Sequence, residues 1–187
     1  MYVMDRRIVK TDAAIYRAFG KCLSEKDYER VSIEDIIEKA EISRSTFYAH
    51  FKTKGEVLDS LVRRIFSHVF SASLQQEHSH DFSNESVMDQ AHLYTHILYH
   101  LRDEKEFVST ILHNSCRDRF FDELRMEITP LIERSIHDGV FAQKDVPEAL
   151  RLYDARESFL ALVRYWFEGD CVISPEQLST DYIRLNQ

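Results

Sequence analysis

Apolar residues return at three- and four-residue steps along most of the chain, and polar runs divide this pattern into segments of helical length. Over 6–23, Ile8, Ala14, Ile15, Ala18, Phe19 and Cys22 share one side of a helix, which the polar run Ser24, Glu25, Lys26, Asp27 ends. Ser32, with Asp35 three residues on, forms a capping box. Behind it, Ile33, Ile36, Ile37 and Ala40 predict a helix of about two turns with one buried stripe. Ser43 caps a third helix over 44–51, and Ile42 stands at the staple position opposite Phe47. Thr53 to Glu56 repeats the capping pattern and opens a long helix over 54–74, carrying Val57, Leu58, Leu61, Val62, Ile65, Phe66, Val69 and Phe70.

The third helix has two unlike faces. Phe47 and Phe51, one turn apart, make its buried stripe. At about 100° per residue, Ser45, Thr46 and Ala49 then point away from the core, with Arg44, Tyr48, His50 and Lys52 on the flanks. A face small at its centre and rimmed by donors suits a DNA major groove. Arg44 can fork to a guanine edge, Thr46 can reach a base or a phosphate, and Tyr48, His50 and Lys52 can grip the backbone. Lys54, at the first turn of the next helix, adds its charge to the partial charge of a helix N-terminus and is a candidate phosphate clamp. The plainer alternative is a helical hairpin whose aromatics are core and whose basic residues are only solvated.

Beyond residue 74 the pattern is harder to assign. A polar stretch over 75–84, with His78 and His80, predicts a loop, and helical periodicity resumes near Val87. His92, His96 and His100 recur every four residues on the next helix, a spacing that suits either a metal-sensing pair or a polar stripe on a surface helix. Two further helical stretches, 104–116 and 118–137, are rich in aromatics and arginine, with Pro130 placed to bend or restart the second. The segment 147–170 predicts one long helix, Gly169 a break, and Ser174-Pro175-Glu176-Gln177 a new helix start. Ala155, Phe159, Leu162, Val163 and Trp166 form an apolar surface too broad for one side of a lone small domain, so either a second copy covers it or it is core.

The segment from Val31-Ser32-Ile33 through Phe51-Lys52-Thr53-Lys54-Gly55-Glu56-Val57-Leu58 resembles the DNA-binding segment of TetR-family regulators. Ser43, Thr46, Phe47, Tyr48, His50 and Phe51, followed by Lys52 and Lys54, carry the likeness. The resemblance implies a three-helix head, a long connecting helix, and a helical C-terminal domain that dimerises and often binds a small effector. It assigns DNA contact to Ser32, Arg44, Ser45, Thr46, Tyr48, His50 and Lys54. It places an effector cavity among the middle helices, lined by residues such as Phe66, Tyr94, Tyr99, Phe107 and Phe120, with His113, Asn114 and Arg117 as orienting polar groups; an aromatic core accounts for the same rings. It also makes the last helices the two-fold dimer. Two residues depart from the pattern. Glu41 stands where such regulators usually have Gly in the tight turn. Glu34 and Asp35 bring acid to a region the family sometimes uses for base contact, where Glu34 could accept from a cytosine amine.

Composition agrees with this outline. Only four Gly and three Pro occur in 187 residues, too few for many tight strand turns. The net charge of −8 divides unevenly, +2 over residues 1–55 and −10 over 56–187, as a near-neutral reading head on an acidic body would require. Cys22, Cys116 and Cys171 have no zinc or disulfide spacing and are expected to be reduced packing residues, with redox sensing the lesser alternative. No nucleophile turn, Gly-rich phosphate loop or metalloprotease spacing is present, so no enzyme, cofactor or metal is expected. No apolar run reaches the length of a membrane span and no signal peptide is evident, so a cytoplasmic protein is expected. The expectation is an all-α chain with a helix-turn-helix domain over 1–53 and a helical effector-binding and dimerisation domain over 54–187. Its expected partners are a double-stranded DNA operator and a second copy, and its expected role is a repressor released by a small-molecule effector. The alternative is control through a protein partner or a metal ion.

Overall fold

The computed structural model describes residues 6–66, 90–143 and 145–187, and every regular element among them is helical. In chain order these are α1 (Arg6–Glu25), a single 3₁₀ turn (Tyr28–Arg30), α2 (Ile33–Ala40), α3 (Arg44–His50), α4 (Lys54–Phe66), α5 (Gln90–Asp103), α6 (Lys105–Leu112), α7 (Arg117–His137), α8 (Glu148–Glu168) and α9 (Pro175–Leu185). The last part of the helix expected over 54–74, the polar stretch over 75–84 and the restart near Val87 lie outside the described residues.

The helix boundaries follow from local chemistry. Ser32 Oγ accepts the Asp35 N–H while the Asp35 carboxylate accepts the Ser32 N–H, so the capping box at α2 is complete. Ser43 and Ser174 accept from the third residue of α3 and α9 in the same way. Pro130 does not break α7, which runs through it. The carbonyl that loses its partner there belongs to Met126, an exposed residue on a turn open to water. At the end of α8 the left-handed residues are Asp170 (φ 57°) and Cys171 (φ 56°), whereas Gly169 keeps a negative φ of −86°. The Cys171 N–H closes that turn on the Trp166 carbonyl at 2.8 Å, and the Trp166 indole donates to the Ile173 carbonyl at 2.8 Å.

The chain divides into two compact units, Met1–Val62 with Glu106–Phe120, and Arg63–Lys105 with Phe121–Gln187. This division differs from a break after residue 53, because residues 106–120 are built into the head by specific contacts. Phe107 lies over Gly20, the Asn114 side chain accepts the Tyr28 N–H at 2.6 Å, and Arg119 forks onto Asp59 through two 2.6 Å bonds. Ile15, Phe19, Cys22, Ile36, Phe47, Val57, Leu58, Val108, Ile111 and Phe120 are enclosed in this unit's core. The second unit centres on four rings. Tyr94, Phe141, Phe159 and Tyr182 meet at centroid separations from 5.0 Å (Tyr94–Tyr182) to 6.1 Å (Tyr94–Phe141). The two buried hydroxyls are satisfied, Tyr94 by Ser135 and Tyr182 by the Ala155 carbonyl, both at 2.8 Å.

The tight turn between α2 and α3 keeps its left-handed geometry without glycine. Glu41 has φ 53° and ψ 42°, and its N–H reaches back to the Glu38 carbonyl at 3.2 Å. A β-carbon in that region costs about 1–2 kcal/mol. Glu41→Gly is therefore expected to raise the unfolding free energy by about 1 kcal/mol in urea denaturation; an unchanged or lower midpoint would show the turn to be unstrained.

Candidate DNA-binding surface

The outward face is set by what α3 buries. Phe47 is completely enclosed and Phe51 is 7% exposed, its ring 5.9 Å from Tyr16 of α1. With that side fixed inward, Arg44, Ser45, Tyr48 and Ala49 are exposed, and Thr46 and His50 are partly so. Tyr48 stands edge-on to Phe47 at 5.6 Å and leaves 47% of its surface outside.

Each expected contact residue has a definite setting. Ser43 Oγ lies 2.8 Å from Ser45 Oγ and 2.7 Å from Thr46 Oγ1, so both hydroxyls on the outward face are oriented by the cap. His50 holds Asp12 of α1 through Nδ1 at 2.6 Å, which leaves Nε2 as the ring atom available to a partner. Lys52 is exposed, and its N–H is capped by the Glu56 carboxylate at 2.7 Å. Ser32 is engaged in the α2 capping box. Arg44 pairs with Glu34 in the first turn of α2, and both side chains are 63% exposed. Asp35, beside Glu34, has its carboxyl held well below the usual carboxylate range by the Lys26 ammonium and by hydrogen bonds from Ser32.

Lys54 is placed otherwise than a phosphate clamp requires. Its ammonium donates to the carbonyls of Tyr28 (2.7 Å), Val31 (2.9 Å) and Glu29 (3.3 Å) and sits 4.4 Å over the Tyr28 ring. An ammonium has three donors, and all three are directed at backbone. The lysine closes the 3₁₀ turn that leads into α2, so its role here is to hold the head together. The sequence carries no local sign of this, because the acceptors are 23 to 26 residues away. The Asp12–His50 pair, 38 residues apart, is equally invisible to local pattern.

Residues 15–61 match the family described as "Bacterial regulatory proteins, tetR family", and residues 89–186 match a "Transcriptional regulator C-terminal region". The chain belongs to the TetR family. Among solved structures, a TetR transcriptional regulator from Streptococcus agalactiae is 26% identical with a TM-score of 0.75, covering 98% of this chain and 97% of that one. The dihydroxyacetone kinase operon activator DhaS shares the fold at 19% identity and a TM-score of 0.64, covering 94% of this chain and 93% of its own. An uncharacterised helix-turn-helix regulator of Bacillus subtilis, YxbF, is 41% identical over 81 residues, 41% of this chain and 21% of that protein. A Haemophilus influenzae regulator matches over 62% of its length, so the chain spans less than two thirds of either curated relative.

The effector residues suggested by the TetR-family resemblance fall in both compact units. Tyr94 and Tyr99 belong to one compact unit, and Phe107, His113, Asn114, Arg117 and Phe120 to the other. Tyr94 and Phe120 are enclosed, and Tyr99 donates to Glu176. Asn114 is engaged by the Tyr28 N–H, while the exposed His113 and Arg117 face the Ser109 carbonyl and Asp118. The side chain of Phe66 lies outside the described residues. Ala155, Phe159, Leu162, Val163 and Trp166, expected at a dimer contact, are all buried within the chain itself. Their breadth reflects a helix packed by its own unit on that side. Of the histidine stripe, His96 Nε2 and His100 Nε2 approach to 2.8 Å, and no cluster of three metal-ligating side chains occurs among the described residues. Burial raises the thiol pKa of Cys22 and pushes that of Cys116 up to about 11, an environment that favours unreactive packing thiols.

Two outcomes follow. Lys54→Met should lower the stability of the protein without DNA by about 1.5–3 kcal/mol, since charged hydrogen bonds to three carbonyls are lost; a phosphate clamp alone would leave that stability unchanged. The depressed Asp35 pKa contributes stability that is present above the unfolded value near about 4 and is lost as pH falls through the folded value. Denaturation midpoints of wild type and Asp35→Asn should therefore converge as pH drops below about 4, and a gap that stays constant would contradict the ionic role of Asp35.

Proposed function

We propose that this TetR-family chain is a homodimeric, sequence-specific DNA-binding transcription regulator of the cytoplasm, a repressor that leaves its operator when an effector binds. The observation that carries this reading is the α3 face, where Arg44, Ser45, Tyr48 and Ala49 stand exposed on a short helix pinned from below by Phe47 and Phe51. Arg44 reads a guanine edge, Ser45 and Thr46 approach bases, and Tyr48, His50 and Lys52 hold phosphates. Two copies would set two such helices about one DNA turn apart. The outward side of α8 suits the pairing, with Leu150, Tyr153, Ala161 and Tyr165 exposed along one stripe at steps of three, eight and four residues.

A cavity of about 300 Å³ in the second unit, lined by Ile136, Phe141, Val146, Leu150, Arg151 and Asp154, is of a size for a small effector. The enclosure of Tyr94 and Phe120 favours a second reading, control by a protein partner, over an organic ligand held among those rings.

Selection from a random duplex library should enrich one sequence with two-fold symmetry. On that duplex Arg44→Ala should lose about 1–3 kcal/mol, with relaxed preference at one base pair per half-site, in titrations at fixed salt. Undiminished affinity and preference in the variant would remove Arg44 from the recognition surface.

A further inference from the structure

We infer that Glu34 is the positioning residue for Arg44, and that it makes the base pair under Arg44 a strictly read guanine; this rests on the DNA-reading function proposed above. Arg44 is the first residue of α3 and Glu34 lies in the first turn of α2, so their ion pair ties the two helices of the motif across the turn at Glu41. Neighbouring polar groups have other engagements. Asp35 is held by Lys26 and Ser32, and Ser45 and Thr46 face Ser43. Among the described residues, Arg44 has one ion pair, and Glu34 makes it.

A pair exposed on both sides adds little to stability, so the fold does not require it. Its chemistry fits recognition. A guanidinium has five N–H groups in a rigid fork, and one Nη2 on Glu34 leaves the remaining donors for guanine O6 and N7. An arginine without such a partner turns as readily to a phosphate, which carries no sequence information. The carboxylate opposes that alternative twice, by holding the fork and by repelling the backbone, and so favours discrimination over raw affinity. Glu34 gives Oε1 to Arg44, so any direct reading of a cytosine amine by Glu34 would fall to Oε2.

The test uses the duplex that the wild-type protein selects from a random library, with Kd measured by fluorescence anisotropy on that duplex and on versions with each base pair exchanged in turn. Arg44→Ala locates the base pair. Glu34→Gln should then reduce discrimination at that base pair about five- to tenfold, while binding to unrelated duplex holds or tightens. Glu38→Gln removes the same charge one turn further along α2 and should leave the ratio unchanged. The double variant Glu34→Gln/Arg44→Ala should discriminate no worse than Arg44→Ala alone. An unchanged ratio in Glu34→Gln, an equal change in Glu38→Gln, or a further loss in the double variant would overturn the inference while leaving the regulator function standing. A wild-type protein that enriches no sequence would overturn that function itself.

Discussion

Helix α3 is seven residues long, and a helix that short does not persist in water, because nucleation outweighs the few hydrogen bonds it makes. Its existence depends on what lies beneath it. Phe47, fully enclosed, supplies about 1.5–3 kcal/mol of burial, and Phe51 anchors the chain where the helix ends. Ser43 fixes the start, and the Asp12–His50 contact ties the last turn to α1. The outward face is therefore a consequence of the inward one. If Phe47 is held, Arg44, Ser45, Tyr48 and Ala49 have one direction left to point.

The same economy explains the rest of the head. Its first two connections are short and irregular, and irregular backbone leaves carbonyls and amides without helical partners. Lys54 takes the carbonyls of Tyr28, Glu29 and Val31 and Asn114 takes the Tyr28 amide, so residues from α4 and from the turn after α6 complete the geometry of a loop near residue 28. That is why residues 106–120 belong to the same compact unit as the helix-turn-helix. The positive charge at the start of α4 thus has a role internal to the protein, and Arg44, Lys52 and His50 are the basic groups of the proposed recognition surface.

Periodicity and capping were legible in the sequence because both act between residues three or four apart. Ser32 with Asp35, Ser43 with Thr46, and the Phe47–Phe51 stripe all fall within that range, and each element they define is present at its expected place. What the sequence hid acts over longer separations or depends on which of two apolar faces turns inward. Lys54 has the composition of a phosphate ligand, and only the folded loop reveals its three acceptors. In α8, periodicity marked Phe159, Val163 and Trp166 as apolar but did not say whether a second copy or the chain's own α9 and aromatic cluster would cover them. Tyr153 and Tyr165, less conspicuous by hydropathy, are the residues left outside. Glu41 shows the reverse case, where a local rule favoured glycine and the turn formed with a strained residue in its place.

In the proposed complex the outer face of α3 meets DNA. Amide chemical-shift mapping during titration with the protein's own selected duplex tests this most directly, because it reports contact residue by residue without mutation. The largest changes are expected over Arg44 to His50, followed by the first turns of α2 and α4, with the aromatic cluster around Tyr94 and Tyr182 little affected. Changes centred on the second unit, with α3 silent, would contradict it.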